Sequence, residues 1–251
     1  MNLFIMVLFF IVGSVCGSFY NVIGIRLPKS KSFLLGRSFC FTCKRTLSWY
    51  ELIPIISFIL QRGKCRQCKE KISWIYPVGE IITGALFMAS YAIIGVELEL
   101  FTALLFVSML MILFVSDIKY MIIPNKILLF FLPLFVIVRF VHPLTPWWTG
   151  VAGALIGFLL VALIIIVSRG GMGGGDMKLF GVLGVILGVK KVLLTFFIAC
   201  FGGAFVGIIL LRLGKIKQKQ PIPFAPFIMF AASISYFYGE LIIPQYLSLF
   251  I

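Results

Sequence analysis

Residues 100–116 read LFTALLFVSMLMILFVS, and residues 117–119 read DIK. The first stretch has no charge and is as long as the shortest helices that cross a hydrocarbon core about 30 Å thick. It ends on a carboxylate. A carboxylate at the edge of hydrocarbon is costly and marks a functional candidate. Similar apolar runs lie to either side, at Leu3–Ile25, Pro77–Val96, Ile127–Val141, Thr149–Ser168, Leu179–Val189, Val192–Leu213 and Pro223–Ile243. Together they make eight segments. Leu179–Val189 is shorter than a bilayer requires unless protein encloses it. A six-span chain, with 179–213 as one re-entrant unit, therefore stays open. Leu3–Ile25 lacks a basic start and a small-residue cleavage site, and reads as an anchor rather than a removable signal.

Composition agrees with this reading. Of 251 residues, 62% are hydrophobic and 12% are charged, against roughly half and a quarter in soluble domains. An ordinary soluble enzyme, a disordered chain and a nucleic-acid-binding domain are excluded. The net charge of +14 then belongs to basic loops of a membrane protein. Arg26–Tyr76 holds eleven basic residues, including Lys31 and Arg37. The positive-inside rule makes this loop cytoplasmic and the N-terminus external. With eight spans, 19 of the 22 Lys and Arg residues fall inside, among them Lys119, Lys126, Arg169, Lys178, Lys215, Lys217 and Lys219. Arg139, Lys190 and Lys191 fall outside. The chain divides into a first transmembrane helix (1–25), a basic cytoplasmic loop (26–76) and a transmembrane core (77–251). The expected fold is all-α, a polytopic bundle with a small loop domain.

The loop contains Cys40-Phe-Thr-Cys43 and Cys65-Arg-Gln-Cys68, two C-x-x-C pairs separated by 21 residues. Each pair offers two thiolates to one ion, and two pairs complete a tetrahedral site for structural zinc. Four sulfurs leave no open position for catalysis. Neighbouring Lys44, Arg45, Lys64, Arg66 and Lys69 favour the thiolates. The alternative is two disulfides, which need an oxidising compartment that a cytoplasmic loop lacks. Cys16 and Cys200 stand alone in apolar runs and read as packing residues.

Only two aspartates exist in the chain, Asp117 and Asp176. Both stand where an apolar run meets an inner loop. Two carboxylates at one depth can share a proton, one acting as base on a water while the other polarises a carbonyl. The lone histidine, His142, falls on the outer side and leaves Ser/His or Cys/His chemistry poorly supplied. Asp176 follows Gly170-Gly171-Met172-Gly173-Gly174-Gly175. Glycine permits close backbone approach, although a flexible hinge would use the same residues. Interfacial capping is the alternative role for either aspartate. Lys119 and Lys178 read mainly as inside-positive anchors.

In order along the chain, these motifs resemble those of the type IV prepilin peptidases. Gly17-Ser18-Phe19-Tyr20-Asn21-Val22 with Arg26-Leu27-Pro28 resembles the opening signature. The double C-x-x-C loop and Tyr76-Pro77-Val78-Gly79-Glu80 follow in place. Asp117 with Ile123-Pro124-Asn125 resembles the first aspartate motif, and Gly173-Gly174-Gly175-Asp176-Met177-Lys178 the second. Pro223-Phe224-Ala225-Pro226-Phe227 resembles the late Pro-Phe-Gly-Pro motif, with Ala for Gly. The resemblance implies a multi-pass protein of the bacterial cytoplasmic membrane. It implies cleavage of the basic leader of prepilin or pseudopilin precursors at the cytoplasmic face, then N-methylation of the new N-terminus with S-adenosylmethionine. Asp117 and Asp176 would be the proteolytic pair within 77–251, and Cys40, Cys43, Cys65 and Cys68 the zinc ligands. The methyl donor's site has no visible motif. Length and Phe content fit the Gram-positive type that serves competence pseudopilins.

Three alternatives remain at this level: a presenilin-type intramembrane protease, a proton-coupled transporter and an inactive zinc-stapled scaffold. The cysteine loop argues against the first, and aspartates at span ends rather than the midplane argue against the second. Expected partners are the leader-bearing precursors and anionic lipids, with no nucleic acid.

Overall fold

A computed structural model of the chain describes residues 2–30, 32, 38–168, 171–215, 217 and 222–248. Lys31, Arg37, Arg169, Gly170 and Lys219, read above as inner-face charges or part of the glycine run, lie outside the described residues. The described residues form helices α1 (Leu3–Arg26), α2 (Ile56–Leu60), α3 (Ile75–Ile94), α4 (Leu98–Tyr120), α5 (Asn125–Val141), α6 (Thr149–Val167), α7 (Gly174–Arg212) and α8 (Ala225–Leu247), with no strand.

Six of these helices, α1, α3, α4, α6, α7 and α8, are long and apolar enough to cross a membrane. The exposed positions agree. On α6, Leu155, Leu159, Leu163 and Ile166 all face outward, a stripe that water would not tolerate and lipid would. Helix α7 breaks at Gly188 (φ 71°, ψ 179°), a conformation essentially restricted to glycine. Counting its halves separately, and adding the 17-residue α5, recovers the eight apolar segments of the sequence. The short sixth segment is the first half of α7. Its end differs from the sequence reading: the break falls at Gly188, and Lys190-Lys191 continue the helix.

The chain divides into two compact units, 1–115 and 116–251. In the first, α1 packs along α3 through small residues. A Cβ on Gly13 would stand 2.8 Å from the Phe87 Cβ, and one on Gly17 2.8 Å from the Thr83 Oγ1. Such stripes let membrane helices pack closely where no hydrophobic force drives them together. Further along α1, Tyr20 and Ser108 of α4 share a hydrogen bond of 2.6 Å. Asn21 donates to the Tyr76 carbonyl at 3.1 Å, fixing the start of α3.

In the second unit, α7 packs against α5, α6 and α8. The α6–α7 contact sets glycines of α6 against the backbone of α7. A Cβ on Gly153 would stand 2.7 Å from the Gly184 carbonyl oxygen, and one on Gly157 2.6 Å from that of Phe180. The first half of α7, whose first turn carries the candidate Asp176, is thereby held backbone to backbone.

Candidate carboxylate site and metal centre

Asp117 lies in the last turn of α4 and is 6% exposed; Asp176 lies in the first turn of α7 and is 8% exposed. Both belong to the second unit. Helix α8 opens with Phe224 at its N-cap, which has no side-chain acceptor for the first amides. The Asp117 carboxylate fills that role, accepting from the Ala225 N–H at 2.9 Å and from the Phe224 N–H. Asp176 reaches back within its own helix and accepts from the Gly173 N–H at 3.1 Å. Each carboxylate is thus held at a helix N-terminus, where unpaired N–H groups and the helix dipole favour negative charge. The sequence read the two as a pair at one depth, and the structure brings both, buried, into one unit.

The loop between α4 and α5 is fixed to match. Ser116 donates to the Ile122 carbonyl at 2.7 Å. A Cβ on Gly175 would stand 2.9 Å from the Ile123 Cβ, so the α7 N-terminus lies directly against this loop. Lys178 donates to the Asn125 Oδ1 at 3.1 Å, tying the start of α7 to the start of α5. The structure thus gives Lys178, expected mainly to be a charge anchor, a partner on another helix, which spacing along one helix cannot reveal. The Asp117–Ala225 bond was equally hidden. A proline in the first turn of a helix whose cap position is Phe is the signal that some distant acceptor is needed.

The cysteine cluster belongs to the first unit. Its four sulfurs lie within 4.8 Å of one another. Cys40 and Cys68 are 3.7 Å apart and Cys43 and Cys65 4.0 Å apart. A tetrahedron with zinc–sulfur bonds of about 2.3 Å has edges of about 3.8 Å, so the thiols fit zinc. All four cysteines are free, and the disulfide alternative is not adopted.

The two knuckles repeat one design. Cys40 and Cys65 each accept an N–H four residues on, from Lys44 at 2.8 Å and Lys69 at 3.0 Å. Each also donates five residues on, to Arg45 and to Glu70. Lys44 and Lys69 both take positive φ. Backbone N–H groups of Cys68 and Gln67 pull the Cys65 thiol down to about 6, against burial. The N–H of Cys43 lowers Cys40 in the same way. At Cys68 the Glu70 N–H and burial oppose each other, and the neighbouring thiols push it up to about 11.

Behind the knuckles Glu51 is buried. It accepts from Arg45 at 2.7 Å and from the Ser48 N–H at 2.9 Å. Burial alone would raise its pKa, but Arg45, the Ser48 N–H and Arg66 hold its carboxyl below the usual value. Ser48-Trp49-Tyr50-Glu51 is a capping box, a pattern visible in the sequence but not read there.

Comparison with known proteins agrees with the motifs. The family model described as "Bacterial Peptidase A24 N-terminal domain" matches residues 11–94, and that described as "Type IV leader peptidase family" matches residues 104–208. The cysteines fall in the first match and both aspartates in the second. A prepilin leader peptidase/N-methyltransferase of Bacillus subtilis (strain 168) is 44% identical over 240 residues, covering 96% of this chain and 97% of that protein. One of Myxococcus xanthus (strain DK1622) is 34% identical over 82% of this chain and 63% of its own length. One of Aeromonas hydrophila is 29% identical over 97% and 94%. No solved structure gives a significant match. In motif order, in extent and in identity, this chain belongs to the type IV leader peptidase family.

Proposed function

We propose that the chain is a membrane aspartyl endopeptidase that removes the basic leader of prepilin-like precursors at the cytoplasmic face and N-methylates the new N-terminus. The observation that carries this reading is the placement of the only two aspartates, buried at two helix N-termini of one compact unit in which the loop after Asp117 packs directly on the turn that carries Asp176. The pair shares a proton. The ionised carboxylate takes a proton from water as it attacks the scissile carbonyl carbon, and the protonated one donates to the carbonyl oxygen. Collapse of the resulting diol breaks the C–N bond, with a proton passing to the leaving amine. Asp117 and Asp176 are assigned to the pair without dividing the two roles, because coupled carboxylates titrate as a unit.

Cys40, Cys43, Cys65 and Cys68 would hold one zinc, which supplies order to the loop and no chemistry. S-adenosylmethionine is the methyl donor that this reading requires. The described residues contain no strand, so the donor would bind among helices and no residue is assigned to it. The reading places the protein in the bacterial cytoplasmic membrane with its N-terminus outside. It keeps the division into 1–25, 26–76 and 77–251, and makes competence pseudopilins a fitting substrate class. The relatives reported above favour neither the presenilin-type protease nor the transporter. Incubating the purified full-length chain with a leader-bearing pilin-like precursor tests this. Mass spectrometry should find the mature product and its methylated form; an intact precursor would reject the reading.

A further inference from the structure

We propose that the loop segment around α2 is a membrane-dipping element, with an adjacent basic cavity that holds the phosphate of an anionic lipid. Ile55, immediately before α2, donates its N–H to the Glu80 carboxylate at 2.8 Å. Glu80 is five residues into α3, about 7.5 Å along the helix axis. The start of α2 is therefore pinned beside the first turns of a spanning helix, not suspended above them. Ile55 takes a left-handed φ of 63° to make this contact, a conformation that a β-branched residue adopts only when its surroundings impose it.

The faces of α2 then sort by chemistry. Phe58 turns inward onto the Trp74 ring, with centroids 4.9 Å apart. Ile56, Ile59 and Leu60 turn outward, the last two 66% and 71% exposed. Trp49 and Trp74 are exposed in the same unit, and tryptophan favours the headgroup boundary. Three large apolar side chains held outward at this depth match a lipid surface.

Charge supplies the second half. Directly after α2, an open cavity of about 370 Å³ is lined by Leu60, Gln61, Arg62, Lys64, Arg66 and Lys69, with Cys65 of the metal centre at its wall. Residues 60–71 hold five basic residues and one acid. Phosphate is the complementary ligand, and the apolar ridge at the cavity's edge makes a lipid its source. Arg62 and Lys69 both stand at this cavity, each at a chain turn with positive φ. Arg66 also lies over the Tyr50 ring, 5.0 Å from its centroid, which restricts its freedom before any lipid arrives.

The test uses full-length protein carrying Trp74→Phe, Trp147→Phe and Trp148→Phe, so that Trp49 of the loop alone reports. It is placed in bilayers whose lipids carry bromine high on the acyl chain. Tryptophan quenching is expected, rising with the anionic lipid fraction and unaffected by free inorganic phosphate. Ile59→Ser with Leu60→Ser should lose the quenching. Arg62→Gln with Lys64→Gln and Lys69→Gln should lose its dependence on anionic lipid. Unchanged cysteine reactivity establishes that the loop stays folded in these variants. No quenching of the parent protein, which needs no variant of the ridge to observe, would overturn the dipping. Equal quenching in neutral and anionic bilayers would overturn the phosphate site, and abolition by free phosphate would replace the lipid with a soluble anion.

Discussion

Under the proposed function Asp117 and Asp176 each combine a proteolytic role with the helix-capping role seen in the structure, and conservative substitution separates the two. An asparagine keeps an oxygen that can accept the Ala225 or Gly173 N–H, so the helix cap survives while the titrating proton is lost. Asp117→Asn or Asp176→Asn should therefore abolish leader cleavage with little change in thermal unfolding. Asp117→Ala should abolish cleavage and also cost about 1 kcal/mol of stability through the lost cap, visible as a lower Tm. The aspartates were legible in the sequence because the chain has no others. Their caps were not, since Asp117 and Ala225 are 108 positions apart. Glycines of the motif also separate by environment. A Cβ at Gly175 meets Ile123, whereas one at Gly174 meets nothing within 4 Å. Gly174→Ala should leave Tm unchanged. A raised KM with intact kcat in that variant would assign Gly174 to substrate approach.

At the scale of elements, the broken α7 decides how Asp176 is held. Gly188 lies in a glycine-only region of backbone space, and Gly188→Ala should cost roughly 1–3 kcal/mol. The break leaves the first half of α7 with its own C-terminus, where Arg139 of α5 donates to the Ile186 carbonyl at 2.9 Å. A cation at a helix C-terminus satisfies both the carbonyl and the dipole. Arg139→Met should lower Tm, and Arg139→Lys should restore part of the loss, since a point charge keeps the dipole term but not the planar guanidinium. From sequence, Arg139 was only one of three basic residues on the outer side. The position of the break was obscured for a related reason. A lysine pair looks like an interruption in an apolar run, yet lysine is a good helix former, and Lys191 bonds Glu240 of α8 at 2.8 Å. The physical interruption was the glycine beside it, whose backbone role no hydropathy pattern reports.

Across the whole molecule, the two candidate centres lie in different compact units, the cysteines in 1–115 and the carboxylates in 116–251. They should therefore fail differently. Metal binding requires thiolates, and folding of such a loop is coupled to its metal. The Cys65 thiol, lowered to about 6 by its knuckle amides, has an acid-type shift. The charged form is favoured above that value and lost as pH falls through it. Protons and metal compete for the same four sulfurs, so metal should be retained at neutral pH and released on acidification, measured as zinc per chain after gel filtration. Cys65→Ser or a strong chelator at neutral pH should expose the loop between α1 and α3 to proteolysis. Glu51→Gln should do so more mildly, because it weakens the Arg45 bond from a charge-assisted hydrogen bond to a neutral one while the thiols stay in place. In none of these cases is a carboxylate of the second unit altered. Residual cleavage at saturating substrate should survive metal removal, whereas either Asp→Asn variant should leave none. Complete loss of cleavage on chelation, fully reversed by zinc and accompanied by no change in loop proteolysis, would instead give the metal a direct part in the reaction.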